Sequence, residues 1–240
     1  MGQELPRVIG HRGASGHAPE NTTASMVKAA KLGVTWVEFD ARLSRDGQVV
    51  IFHDDSLERT SDGSGPVANA DLAQLQLLDA GSWYAKEFAG EPIPTLSRML
   101  KELAALGLCA NVEIKSDKGR EDETGRAVAA LLDREWPSAL PTPLISSFNP
   151  QALAAAAATA SHIPRALCID NIPKDWRRRL EAYGADAVHC RHDKLRPDRA
   201  RAVIDAGFAV RCYTVNQAEQ AEALFRHGVQ SVFSDYPDRF

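Results

Sequence analysis

The sequence predicts an α/β protein, a (β/α)8 TIM barrel with a small insert after its second strand pair. Three observations carry that expectation: short apolar runs alternate with helical patterns along the chain, one gap between runs is too short for a parallel crossover, and one stretch lacks periodicity. At 240 residues, 44% apolar and 25% charged, the chain also has the length and core-forming material of one barrel-sized domain covering residues 1–240.

Taken in order, the apolar runs are RVIG (7–10), TWVEFD (35–40), VVIFH (49–53), CANVEIK (109–115), PLISSF (143–148), RALCID (165–170), DAVHC (186–190), FAVRCYTV (208–215) and QSVFSD (230–235). Helical segments such as TTASMVKAAKLG, LSRMLKELAALG, QALAAAAATA and QAEQAEALFRHG lie between most of them. Strands alternating with helices argue for a parallel sheet. Nine runs exceed the eight that a barrel closes, and the extra one is the third. Residues 41–48 are too few for a crossover of about a dozen residues. They also contain Asp46-Gly47, a strong hairpin signal. The third run should therefore turn back antiparallel to the second. Residues 54–94 are rich in Gly, Ser, Asp and Pro, and a structureless loop of that length is improbable, so they are expected to form an inserted subdomain over one end of the barrel.

Charge and cysteine content exclude several classes. A net charge of -4 with interspersed signs offers no basic stripe for nucleic acid or anionic lipid. No stretch approaches the roughly 18 apolar residues of a membrane span. Only nine residues precede the Gly10-His11-Arg12-Gly13 turn, so no leader is expected and a cytoplasmic location is. Cys109, Cys168, Cys190 and Cys212 sit in or beside strand patterns without paired spacing, and read as reduced core thiols.

Chemistry concentrates on the early strands. With Asp46 and Gly47 as a two-residue loop, Arg45 opposes Gln48 and His53 opposes Asp40, which puts both on one face of the sheet. Glu38 shares that face because side chains two apart project together. In NVEIK the same period places Asn111, Glu113 and Lys115 on one face, where a barrel would ordinarily carry branched apolar residues. Buried charges need partners or a metal. Glu38, Asp40 and Glu113 thus suggest one hard divalent ion, Mg2+ or Ca2+; the alternative is a structural ion-pair network with Lys115, Arg12 and Arg42. At the end of the first strand, His11 and Arg12 reach the barrel mouth, and a guanidinium fork suits phosphate oxygens. PENTT (19–23) reads equally well as a helix start. His189 fits either core or mouth.

These residues carry a resemblance. HRG (11–13), PENT (19–22), Glu38 and Asp40, HDDSLERTSDGSG (53–65), DAGSWY (79–84), IPTL (93–96), VEIK (112–115), SSF (146–148), YTVN (213–216) and SDYPD (234–238) follow one another along nearly the whole chain. Together they resemble the glycerophosphodiester phosphodiesterase family, most closely its short bacterial cytosolic members. The resemblance implies a phospholipase C-like phosphodiesterase barrel with an insert after the His53-Asp54 strand. It also implies metal-dependent hydrolysis of diesters such as glycerophosphocholine or glycerophosphoethanolamine to sn-glycerol 3-phosphate and an alcohol. By motif, Glu38, Asp40 and Glu113 correspond to metal ligands, His11 and His53 to the general acid/base pair, and Arg12 and Lys115 to phosphate-binding cations. Tyr213 stands where the family commonly has Trp. The expected partner is thus a small glycerophosphodiester, with a lysophospholipase D-like or other phosphodiesterase, a non-catalytic glycerophosphate-binding protein and a metal-dependent sugar isomerase as alternatives.

Overall fold

A computed structural model of the chain describes residues 5–240. Among them, nine strands lie in one sheet: β1 Val8–Gly10, β2 Trp36–Leu43, β3 Val49–Ile51, β4 Cys109–Ile114, β5 Leu144–Ser147, β6 Arg165–Ile169, β7 Ala187–Arg191, β8 Ala209–Tyr213 and β9 Ser231–Ser234. The helices are α1 Thr23–Lys31, α2 Leu72–Leu75, α3 Leu96–Leu106, α4 Glu121–Glu135, α5 Pro150–Thr159, α6 Trp176–Tyr183, α7 Pro197–Asp205 and α8 Ala218–Arg226. β1 pairs in parallel with both β2 and β9, so eight strands close into the expected barrel. β3 lies outside it, antiparallel to β2. Helix starts follow local chemistry: Thr22, Thr95 and Asn149 each accept a backbone N–H at the first turn of α1, α3 and α5.

The hairpin turn differs from the two-residue loop expected. Ala41 pairs with Ile51, Arg42 with Val50 and Leu43 with Val49, and the Ser44 N–H donates to the Gln48 carbonyl at 2.9 Å. Arg45, Asp46 and Gly47 therefore make a three-residue loop. Gly47 takes a φ of +76°, the left-handed conformation that closes such loops. Ser44 fastens it, its hydroxyl donating to Asp46 at 2.6 Å and accepting from the Gln48 N–H at 2.9 Å. Asp40 consequently opposes Phe52, whose N–H donates to the Asp40 carbonyl at 3.0 Å, and not His53.

His53 nevertheless reaches the barrel mouth, because β3 ends at Ile51 and the alternation of side chains no longer governs it. The buried Arg42 guanidinium is held by Asp55 at 2.7 Å and Asp117 at 3.0 Å, and also donates to the His53 carbonyl at 3.4 Å. Arg42 thus fixes this corner instead of joining a network around Glu38 and Asp40. Beyond it, residues 54–94 contain α2 and two short 3-10 turns, Val67–Asn69 and Lys86–Phe88. Leu57, Val67, Leu75, Ala80 and Ile93 gather against Val50 and Phe52 in a separate apolar cluster.

Inside the barrel the side chains are graded. Ile9, Trp36, Cys109, Leu144, Ala166 and Ala187 form an apolar layer near the amino-terminal ends of the strands. One period further along, polar and charged residues replace them: Glu38 is level with Asn111, and Asp40 with Glu113 and, across the next strand, Ser146. The outward positions Val37, Phe39, Val112 and Ile114 belong to the larger core shared with the helices. No helix among the described residues is long and apolar enough to cross a membrane. All four cysteines are buried and free, as the sequence suggests.

Candidate active site

The carboxyl ends of the strands enclose a cavity of about 170 Å³ lined by His11, Arg12, Glu38, His53, Glu113 and Lys115 together with Phe148, His189 and Tyr213. Six of the seven residues singled out in the sequence line it. The seventh, Asp40, lies directly behind, fully buried. Carboxylate oxygens of Glu38, Asp40 and Glu113 fall within 4.8 Å of one another.

Their electrostatics are unequal. Burial raises the pKa of Glu38 well above the carboxylate range, and the nearby charges of Asp40 and Glu113 add to this. Burial acts in the same direction on Asp40, yet Lys115 and Arg12, with help from the Asn21 amide, hold it well below its ordinary value. The contacts are explicit: Arg12 Nε and Lys115 Nζ each lie 3.3 Å from Asp40, and Asn21 Nδ2 donates to it at 2.8 Å. Lys115 also pairs with Glu113. Both cations stay protonated against the desolvation that would discharge them, chiefly through Asp40.

Whether the cluster suits a metal is decided by its donors. Glu38 Oε1 is buried with no hydrogen-bond partner. A buried carboxylate oxygen left bare is costly, and a hard cation with oxygen ligands removes that cost. Three carboxylates converging around such an atom fit a hard divalent ion.

The two histidines are each oriented by an aspartate. His11 Nδ1 lies 2.7 Å from Asp235, and its Nε2 is 3.9 Å from Glu38. His53 Nδ1 lies 2.5 Å from Asp54. A carboxylate can only accept, so both Nδ1 atoms carry hydrogen and both Nε2 atoms are left for the cavity. Burial lowers the pKa of His53 even though Asp40 and Asp54 favour its charged form.

Several residues here escaped the sequence reading. Asn21 takes a φ of +61°; its side chain bridges to Asp40 by donating to the carboxylate and accepting the Asp40 N–H at 3.1 Å. Its neighbour Thr22 caps α1. Glu20 accepts from Arg12 at 2.6 Å and from Arg59 at 2.8 Å, while Arg59 also binds Asp54. Asp235 collects His11, Ser15 at 2.7 Å and Asn216 at 2.8 Å. PENT and SDYPD carried the signal, the first a polar cluster directly before α1 and the second one at the end of β9. On the opposite wall, Lys115 Nζ sits 5.4 Å from the centre of the Phe148 ring, which packs edge-on to Tyr213. Trp83 and Tyr84 pack edge-to-face in the insert and do not line the cavity.

Comparison with known proteins converges on one group. The model of the glycerophosphoryl diester phosphodiesterase family matches residues 11–239. A glycerophosphodiester phosphodiesterase of Caldanaerobacter subterraneus is 31% identical over 238 residues, 96% of this chain and 94% of that protein. A Bacillus subtilis relative is 35% identical over 238 residues, 96% of this chain and 95% of its own. Among solved structures, an Oleispira antarctica phosphodiesterase in complex with the product sn-glycerol-3-phosphate superposes with a TM-score of 0.94 at 42% identity, covering 98% of this chain and 94% of that one.

Proposed function

Because this chain belongs to the glycerophosphoryl diester phosphodiesterase family and is an enzyme of that type, we propose that it hydrolyses glycerophosphodiesters, such as glycerophosphocholine or glycerophosphoethanolamine, to sn-glycerol 3-phosphate and an alcohol. The observation that carries this reading is the gathering at one small cavity of two carboxylates with a third directly behind them, two aspartate-oriented imidazoles and two partly buried cations. The product held by the Oleispira antarctica neighbour agrees with it.

Glu38, Asp40 and Glu113 would hold one divalent ion, Mg2+ or Ca2+. When bound, that ion would neutralise phosphate charge and stabilise the charge that builds on the equatorial oxygens. Arg12 and Lys115 bind the remaining phosphate oxygens, the guanidinium through its planar fork and the ammonium as a point charge. Each is already held in place by Asp40, so little ordering remains when substrate arrives. Phe148 and Tyr213 offer an apolar wall to the glycerol carbons.

His11 and His53 form the acid/base pair. With Nδ1 fixed by Asp235 or Asp54, one Nε2 accepts the proton of the attacking hydroxyl and the other donates a proton to the leaving alkoxide. We favour the glycerol 2-hydroxyl as the nucleophile, since it is delivered with the substrate and needs no separate positioning. Its oxygen bonds to phosphorus as the ester bond to the alcohol breaks. Water, deprotonated by an imidazole in turn, then attacks phosphorus as its bond to the 2-oxygen breaks, and that oxygen takes a proton from the other imidazole to give sn-glycerol 3-phosphate.

The test is release of sn-glycerol 3-phosphate from glycerophosphocholine by purified protein, with EDTA and then with Mg2+ or Ca2+ restored. The reading expects activity abolished by EDTA and recovered with one of the two ions. Folded protein that releases no glycerol 3-phosphate under any of these conditions, from either glycerophosphocholine or glycerophosphoethanolamine, would reject it.

A further inference from the structure

The inward face of β8 is shared between two chambers. Tyr213 lines the active-site cavity, whereas Ala209 and Arg211 line a larger recess of about 680 Å³ at the opposite end of the barrel. Arg211 sits at the divide and is only 6% exposed. Its Nη1 lies 3.4 Å from Nε2 of His189, its register partner on β7. Since a guanidinium only donates, Nε2 is the acceptor and His189 is neutral. Burial and the Arg211 charge both depress the His189 pKa far below the ordinary value.

Among the described residues no carboxylate lies within ion-pair distance of Arg211. Its Nε is buried without a partner, and so is the hydroxyl of Ser231, its register partner on β9. Burial alone pulls the guanidinium down to about 10, so it still carries its charge at neutral pH. A desolvated cation with an idle donor is costly, and proteins ordinarily pair such a group. The recess below it is walled by Leu144, Ala187, Phe208 and Val229. Of the charged side chains on its rim, Arg7 is a cation paired at 3.8 Å with Glu222, and Asp186, which accepts the Arg165 N–H at 3.3 Å, forms no ion pair with Arg211.

We propose that the foot of the barrel is a binding site for an aliphatic monocarboxylate, whose head pairs with Arg211 and whose chain lies on the apolar wall. One guanidinium neutralises one carboxylate; the Ser231 hydroxyl is buried beside Arg211 and does not line the recess. A phosphate dianion would arrive with more charge than Arg211 offers and would gain nothing from Leu144 and Phe208. Both elements of the site, the unpaired cation and the apolar wall, predict separate contributions to binding.

Titration calorimetry with octanoate as probe, compared with octanol, inorganic phosphate and acetate, tests the site without reference to turnover. Saturable binding of octanoate to one site is expected, at least tenfold tighter than octanol, phosphate or acetate. Arg211→Met should lose it by at least tenfold while raising the melting temperature of the ligand-free protein, because an unpaired buried charge is gone. Wild-type protein that binds octanol as well as octanoate overturns the role of the charge, a reading that needs no folded variant. Octanoate binding absent, or unchanged in Arg211→Met, or matched by phosphate or acetate, overturns the proposal.

Discussion

His11 and Asp235 are 224 residues apart, and a hydrogen bond of 2.7 Å joins them at the mouth of the barrel, where β1 and β9 lie side by side. The aspartate fixes the hydrogen on Nδ1 and turns Nε2 toward the cavity. Asp235→Asn keeps the shape but can present an N–H to the ring, favouring the wrong tautomer. Turnover should fall by about 100-fold or more, with KM and metal affinity nearly unchanged. Steady-state kinetics alongside calorimetry of metal binding would check the split.

Removing either imidazole should be more selective still. His11→Ala and His53→Ala are each expected to lower kcat by roughly 10² to 10⁴-fold. Metal binding should survive in both, because the carboxylates remain. Turnover near the wild-type rate in either variant would remove that histidine from the acid/base pair.

Glu38 separates the metal reading from a structural one. Its Oε1 has no partner within the protein, so Glu38→Gln should weaken Mg2+ or Ca2+ binding by about 100-fold or more. The ion-free variant should at the same time be more resistant to heat, since repulsion from Asp40 and Glu113 is relieved. Retained metal affinity would reject Glu38 as a ligand.

Glu20 offers a test through pH. Burial pushes its pKa up, but hydrogen bonds from Arg59 and the charge of Arg12 outweigh this and hold it below the ordinary value. A carboxylate depressed in the folded state adds stability that is complete above its unfolded value, about 4.3, and is lost as the pH falls through the folded one. Wild-type protein should therefore exceed Glu20→Gln in denaturant stability by a constant margin from pH 7 to about 5. Below about pH 4 the margin should shrink.

The hairpin yields a stability prediction. Gly47 holds a φ of +76°, with space around its missing side chain, so Gly47→Ala pays mainly for backbone strain. A loss of about 1 kcal/mol is expected by urea denaturation. Gly13 is stricter: at a φ of +87°, an added methyl would lie 2.3 Å from the Ser25 hydroxyl oxygen and close to its backbone. Gly13→Ala should disturb the His11-Arg12 turn itself and cost activity as well as stability.

The hairpin also shows what could be read from the chain and what could not. Strand direction followed from gap length and the Asp46-Gly47 dipeptide, and the inward carboxylates followed from alternation on β2 and β4. Register did not, because two- and three-residue loops use the same dipeptide, and only the Ser44 contacts decide between them. His53 arrives at the site for a different reason from the one the ladder suggested, namely the corner tied down by Arg42. Asn21 was legible as a helix-start residue and illegible as the partner of Asp40, since a local pattern names a cap without naming what lies across the barrel. Asp235 was hidden by distance in sequence, for nothing near residue 235 specifies which strand it will meet.

That the first strand borrows its aspartate from the last has a consequence during synthesis. A nascent chain emerging from the ribosome presents Glu38, Asp40, His53, Glu113 and Lys115 long before residue 235 has been made. Until β9 inserts between β8 and β1, His11 has neither its orienting partner nor a finished wall beside it. On the proposed mechanism, a polypeptide that stops short of β9 would hold most of the carboxylates and still lack an oriented His11, and is expected to leave phosphodiesters intact.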